Sequence, residues 1–269
     1  MREMAICIPY GSIDNDPFKS IEAAKRAGFR KAFVQWYDKA DWNPSQQEQL
    51  KYALVAGMEI IFAHLGYQNI NALWVEGEEG DALVTRYCKD LDDLHEYGVK
   101  DVMMHPSSKF TAPGPNEIGL ERIRKIVDHA KSLGMSVAFE NTKIRGYQDY
   151  IVSNIPDDNL GICVDVGHAH CHFNDELPYE LFDNRIFSVH LHDNHGDDKD
   201  EHLLPFDGTI DWQKVIENLV KAHYMGPVTL EVIHHSVYAD MDVDEFYKEA
   251  YARGEKLAEM FEKAEEKWL

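Results

Sequence analysis

Ser136-Val137-Ala138-Phe139-Glu140 is a short apolar run closed by a carboxylate, and an amphipathic segment precedes it. Ile123, Ile126, Val127, Ala130 and Leu133 share one helical face, and Gly134 stops that helix. An apolar run of this length without alternation is the pattern of a parallel strand buried on both faces. A helix, a glycine, a buried strand and a polar strand end therefore make one unit.

The same unit recurs on either side. Earlier runs are Ala5-Ile6-Cys7-Ile8, Ala32-Phe33-Val34, Glu59-Ile60-Ile61-Phe62-Ala63 and Val102-Met103-Met104. Later ones are Gly161-Ile162-Cys163-Val164, Ile186-Phe187-Ser188-Val189 and Val228-Thr229-Leu230. Helices with readable ends lie between them. Asp16-Pro17 is an N-cap followed by proline, with Gly28 as the stop, and Ser45-Gln46-Gln47-Glu48 is a capping box with Gly57 beyond. Trp212, Val215, Ile216, Leu219 and Val220 form a stripe ahead of Gly226, and Phe246, Ala250, Leu257 and Phe261 form another.

Eight strands recur about every 32 residues, close to the spacing of a (β/α)8 barrel of ~250 residues. The expected class is α/β, a single-domain (β/α)8 TIM barrel over 1–269. An open doubly wound sheet is the competitor. It would carry a glycine-rich phosphate loop after an early strand, whereas the first strand runs into Ile8-Pro9-Tyr10-Gly11-Ser12.

In such a barrel, side chains at the C-terminal strand ends share one mouth. Strand three closes on His64, four on His105, five on Glu140, six on Asp165 with His168 just beyond, seven on His190 and eight on Glu231. One such residue is explained by a hydrogen-bonded core histidine or a cap. Six gathered together repel and desolvate one another unless a cation joins them. Mixed Asp, Glu and His ligation suits zinc or manganese better than calcium. Asp200 and His202, on the loop after strand seven, are further candidate ligands. Lys143 and Arg145 follow Glu140 and are candidates for an anionic or hydroxylated substrate. Trp36, Tyr67 and Trp74 are candidates for an aromatic wall, although packing is the commoner aromatic role.

Composition narrows the classes. Lys and Arg total 27 against 48 Asp and Glu, a net charge of −21, with 44% hydrophobic residues and 14 histidines. That is a globular composition, and its charge disfavours nucleic acid and anionic membranes as partners. No apolar stretch approaches the ~18 residues of a membrane span. The N-terminus does not read as a signal peptide. Four scattered cysteines make no C-x-x-C pair, so a reducing cytoplasm is the expected location. A homo-oligomer is compatible with such a barrel, and no sequence feature marks an interface.

The chain resembles the xylose-isomerase-like barrel superfamily. That group holds sugar and sugar-phosphate isomerases and epimerases and also the endonuclease IV family of abasic-site DNA repair enzymes. The resemblance runs over essentially the whole chain. Its specific pieces are Phe139-Glu140-Asn141, Val164-Asp165-Val166-Gly167-His168, Val189-His190-Leu191-His192-Asp193, Asp200-Glu201-His202 and Leu230-Glu231. The isomerase branch implies one divalent ion on Glu140, Asp165, His190 and Glu231, with His168 on the substrate. The endonuclease branch implies up to three zinc ions on nine ligands, which here are His64, His105, Glu140, Asp165, His168, His190, Asp200, His202 and Glu231. Ketose 3-epimerases of the superfamily carry a second Glu and an Arg where this chain has Gly146 and Gly196, which argues against a strict ketose 3-epimerase. No basic, aromatic-interleaved loop for gripping a duplex stands out.

The expected function is a metal-dependent isomerase or epimerase acting on a small sugar, sugar phosphate or cyclitol through an enediolate. Glu140 and Glu231 are the expected proton-transfer groups, with His168 holding a hydroxyl. The alternative is an endonuclease IV-like zinc phosphodiesterase acting on abasic DNA. A non-catalytic binding barrel is a third reading.

Overall fold

The computed structural model describes residues 2–8, 16–37 and 44–268. Eight parallel strands form one sheet in the order β7-β6-β5-β4-β3-β2-β1-β8. They are β1 (Met4–Cys7), β2 (Lys31–Trp36), β3 (Glu59–Leu65), β4 (Asp101–Met104), β5 (Ser136–Glu140), β6 (Leu160–Asp165), β7 (Ile186–His190) and β8 (Val228–Leu230). Beside them run α1 (Pro17–Ala27), α2 (Gln46–Val55), α3 (Glu78–Glu96), α4 (Glu117–Ser132), α5 (Tyr147–Asn154), α6 (Val166–Phe173), α7 (Trp212–Lys221) and α8 (Val243–Trp268).

The sheet curls until its edges meet. β1 pairs with β8 through Met4↔Val228, Ala5↔Thr229 and Ile6↔Leu230. The β7–β8 seam is closed just past the strand end by a parallel bridge from Leu191 to Leu230. Leu191 N donates to Thr229 O at 2.9 Å, and Glu231 N donates to Leu191 O at 3.2 Å. The result is the expected (β/α)8 barrel.

Two apolar layers hold it together. Cys7, Phe33, Phe62, Met103, Ala138 and Cys163 fill the barrel interior, and a larger core lies between the strands and the helices. The helix ends follow the sequence signals. Asp16 accepts from Phe18 N and Lys19 N, and the Ser45–Glu48 capping box is complete. Gly28 and Gly134 leave their helices at φ +127° and +69°, where a side chain would be strained. β1 ends at Cys7, and the Pro9–Ser12 stretch lies outside the described residues. Among the described residues, no helix is long and apolar enough to cross a membrane, and the four cysteines are free.

Candidate metal centre

Each strand delivers the residue that closes it. Glu140 ends β5, Asp165 ends β6, His190 ends β7, and Glu231 follows β8. All four are buried, and one ligand atom from each lies within 4.8 Å of the others. The His190 Nδ1 atom is 3.0 Å from Glu231 Oε2, 3.2 Å from Glu140 Oε1 and 3.5 Å from Asp165 Oδ2. That nitrogen carries at most one proton, so it cannot satisfy three carboxylates by donation. Among the described residues, no Lys or Arg lies within ion-pair distance of any of the three. Three buried carboxylates beside an imidazole nitrogen suit a divalent cation.

The electrostatics express the same need. Burial pushes the Glu140 carboxyl up, but His105 and His190 outweigh it and hold the group well below the usual carboxylate range. Burial opposes a charged His190, yet Cys163, Glu231 and Glu140 drive its pKa well above the ordinary histidine value. Burial likewise disfavours charge on His168, while Asp165 and Asp200 overcome it and raise that ring too. The carboxylates thus favour the charged form of His168 and His190, while burial lowers the pKa of His105.

Two further groups flank the four. His64 Nε2 and His105 Nε2 stand 3.5 and 3.0 Å from Glu140 Oε2, and the three residues form a second potential metal group. Glu140 Oε2 nevertheless has no aligned hydrogen bond. Close approach without alignment is what lone pairs directed at a common point produce. Tyr67 stacks on His105 with ring centroids 4.3 Å apart. On the other flank, Asp200 Oδ2 lies 3.2 Å from His168 Nε2 and 3.1 Å from His202 Nε2. Burial resists charge on His202, and Asp200 raises its pKa to about 10. His202 Nδ1 lies 2.9 Å from the Glu231 carbonyl oxygen, an acceptor, which leaves Nε2 to face Asp200.

The structure thus gathers all nine residues singled out at the strand ends and on the loop after β7. It adds His192, whose Nε2 lies 3.1 Å from Asp165 Oδ1 and which forms a third potential metal group with His202 and Glu231. His192 lies beyond β7, so strand-end reasoning passes over it. Its ring packs where a Cβ on Gly167 would stand. The backbone of this loop hangs on Asp193, whose carboxylate accepts from Asn194 N, Ile210 N, Phe206 N and Trp212 Nε1.

Other expectations change. Trp36 and Trp74 are 1% exposed and belong to the core, so the aromatic wall reduces to Tyr67, with Tyr37 beside it. Arg145 turns away from the mouth to the Phe173 carbonyl and Glu176. His234 is buried against the carbonyls of Tyr238 and Met241. His170 bonds Asp175 and Thr209 outside the cluster. The cavity above the cluster holds about 410 Å³ and is bordered by Glu140, His168, Glu231, Lys109 and Lys143 among others.

Comparison with known proteins agrees with this architecture. Residues 21–263 match the family model described as xylose isomerase-like TIM barrel. An uncharacterized protein of Sinorhizobium fredii, y4fM, is 31% identical over 119 residues, 44% of this chain and 37% of that protein. The aligned stretch therefore spans well under half the length of that relative. Among solved structures, a D-tagatose 3-epimerase-like protein superposes with a TM-score of 0.72 at 22% identity, covering 99% of both chains. The IOLI protein with a bound zinc atom gives 0.71 at 17% identity, covering 100% of this chain and 99% of that one. At these identities the structural likeness speaks to the fold. The family model matches most of the sequence, and the chain belongs to the xylose isomerase-like TIM barrel family.

Proposed function

We propose that this protein is a divalent-metal-dependent isomerase or epimerase acting on a small sugar, sugar phosphate or cyclitol, with the barrel acting as one domain. The observation that carries the reading is His190 Nδ1, faced by carboxylates from three other strand ends with, among the described residues, no lysine or arginine paired to them. Glu140, Asp165, His190 and Glu231 would hold the ion, zinc or manganese. A bound ion supplies Lewis-acid polarisation of a carbonyl and its neighbouring hydroxyl.

The chain's own groups do the rest. Glu140 comes from β5 and Glu231 from beyond β8, with β6 and β7 between them around the rim. One removes the proton from the carbon next to the carbonyl, and the other returns it. The electrostatics keep both ionised: burial works against charge, and the surrounding histidines prevail. His168, whose pKa Asp165 and Asp200 raise against burial, would hold a substrate hydroxyl. Gly146 and Gly196 set this site apart from a strict ketose 3-epimerase. The likeness to a D-tagatose 3-epimerase-like protein and to the zinc-bound IOLI protein lends support at the level of architecture.

A second reading rests on the two flanking groups. His64 and His105 with Glu140, and Asp200 with His168 and His202, would let the site take up to three ions, as a zinc phosphodiesterase acting on abasic DNA requires. Metal analysis of the purified protein separates the two. One ion per chain, with solvent deuterium entering a sugar or cyclitol, supports proton transfer. Three zinc ions per chain with nicking of an abasic duplex overturn it.

A further inference from the structure

We propose that the cavity holds an anion subsite, built from Lys109, Lys143 and the hydroxyls of Ser107, Ser108 and Thr142, which selects substrates bearing a phosphate or carboxylate group. The inference rests on the small-molecule reading above and narrows it to charged substrates.

The cavity lining combines two chemical sets. Glu140, His168, Asp200, His202 and Glu231 supply carboxylates and imidazoles, while the loops after β4 and β5 add Lys109, Lys143 and three hydroxyl residues. Neither lysine has a carboxylate partner among the described residues, although the chain's net charge is −21. Ser107 and Thr142 are 1% and 3% exposed, and their hydroxyl oxygens lie 3.4 Å apart across the two loops. Hydroxyls lining one cavity with cations that lack a carboxylate partner make a donor set that phosphate and carboxylate oxygens accept from.

The β4–α4 loop is held in shape for this. Asn71, on the 3-10 helix Ile70–Trp74, clamps the Ser108 peptide from both sides: Asn71 Nδ2 donates to Ser108 O at 2.7 Å, and Ser108 N donates to Asn71 Oδ1 at 2.8 Å. Trp74 Nε1 donates to Pro106 O at 2.6 Å. Directly after the clamp, Lys109 sits at φ +64°, a left-handed backbone that lysine seldom adopts. Such a conformation persists where its surroundings impose it. On the facing loop, the Lys143 ammonium lies 5.3 Å from the ring centre of Phe110, the residue next to Lys109. In a strongly acidic protein, two cations at the mouth also lower the barrier to an approaching anion.

The test is calorimetric titration of the purified protein with inorganic phosphate and, separately, with acetate. Wild type is compared with Lys109→Met/Lys143→Met, with Lys109→Arg/Lys143→Arg, and with Lys125→Met as a control for charge change elsewhere. The expected result is saturable binding, weakened at least about tenfold in the Met pair, restored in the Arg pair and unchanged in Lys125→Met. Preference for phosphate points to a sugar phosphate, and preference for acetate points to a sugar acid. Equal binding of both ions by wild type and the Met pair overturns the subsite. So does equal turnover of a sugar phosphate or sugar acid by both, which leaves the isomerase reading standing. Lysine-dependent phosphate or acetate binding in a protein that exchanges no proton in any sugar supports the subsite and removes the isomerase reading instead.

Discussion

The Trp212 indole donates to Asp193 Oδ2 at 2.9 Å, joining the first residue of α7 to the loop that carries Asp200 and His202. Asp193 is 0% exposed, so each of its four donors replaces water the carboxylate lost on folding. Trp212→Phe keeps an aromatic ring but withdraws one donor from a buried charge. The expected cost is about 1–3 kcal/mol, read as a lower urea midpoint with an unchanged slope. A midpoint equal to wild type would mean the bond contributes nothing.

Gly167→Ala tests the support beneath the cluster. A Cβ there overlaps the His192 ring, which must leave Asp165. Displacing a group that orients a ligand costs about 10–100-fold in metal affinity. Competition with a chelator for zinc measures it, and an unshifted affinity alongside a native melting curve would separate His192 from metal binding.

Glu231→Gln keeps the shape and an oxygen donor but removes one of the two proposed proton-transfer carboxylates. Turnover is expected to fall by about 10²–10⁴, with the far-ultraviolet circular dichroism unchanged. Unchanged turnover would take Glu231 out of the proton-transfer pair.

Metal uptake should displace protons. In the chain without an ion, Asp165 and Asp200 raise the His168 pKa, and Cys163, Glu231 and Glu140 raise that of His190, both against the effect of burial. A cation takes over the charge they supply, and a ligating nitrogen must lose its proton. Adding zinc to the stripped protein in weak buffer with an indicator dye should release about one proton or more per ion. Binding without acidification would show that the histidines are neutral beforehand.

Asp90 on α3 gives a pH signature outside the site. Burial raises its pKa from 3.8 to about 6, with Arg86 offsetting part of the effect. A carboxyl whose pKa is higher folded than unfolded stabilises the fold fully below 3.8 and loses that contribution as pH rises through 6. Asp90→Asn keeps a neutral group at every pH. It should gain on wild type above pH 6, by up to about 3 kcal/mol at pH 7.5, and show no relative gain near pH 3.5. Denaturant melts at the two pH values decide it.

The eight strands and the polar residues that close them were legible because both signals are local. Ser136–Glu140 reads as a buried strand from its own composition, and the carboxylate closing it stands at the mouth by the geometry of any such barrel. What escaped depends on distant partners. His192 is admitted by the missing side chain of Gly167, and the Ser108 peptide ahead of Lys109 is held by Asn71. Trp36 and Trp74 carry no mark that separates a core ring from a wall ring, and only packing sends them inward. Arg145 and Lys143 are two residues apart, yet the Phe173 carbonyl and Glu176 claim only the first.

The Leu191–Leu230 bridge joins the residue after His190 to the residue before Glu231. Zipping that final rung therefore brings the last member of the four-residue cluster into place. During synthesis, a nascent chain that has exposed β5, β6 and β7 presents Glu140, Asp165 and His190 but not the complete cage. A chain cut before residue 231 therefore lacks one of the four residues gathered at the mouth.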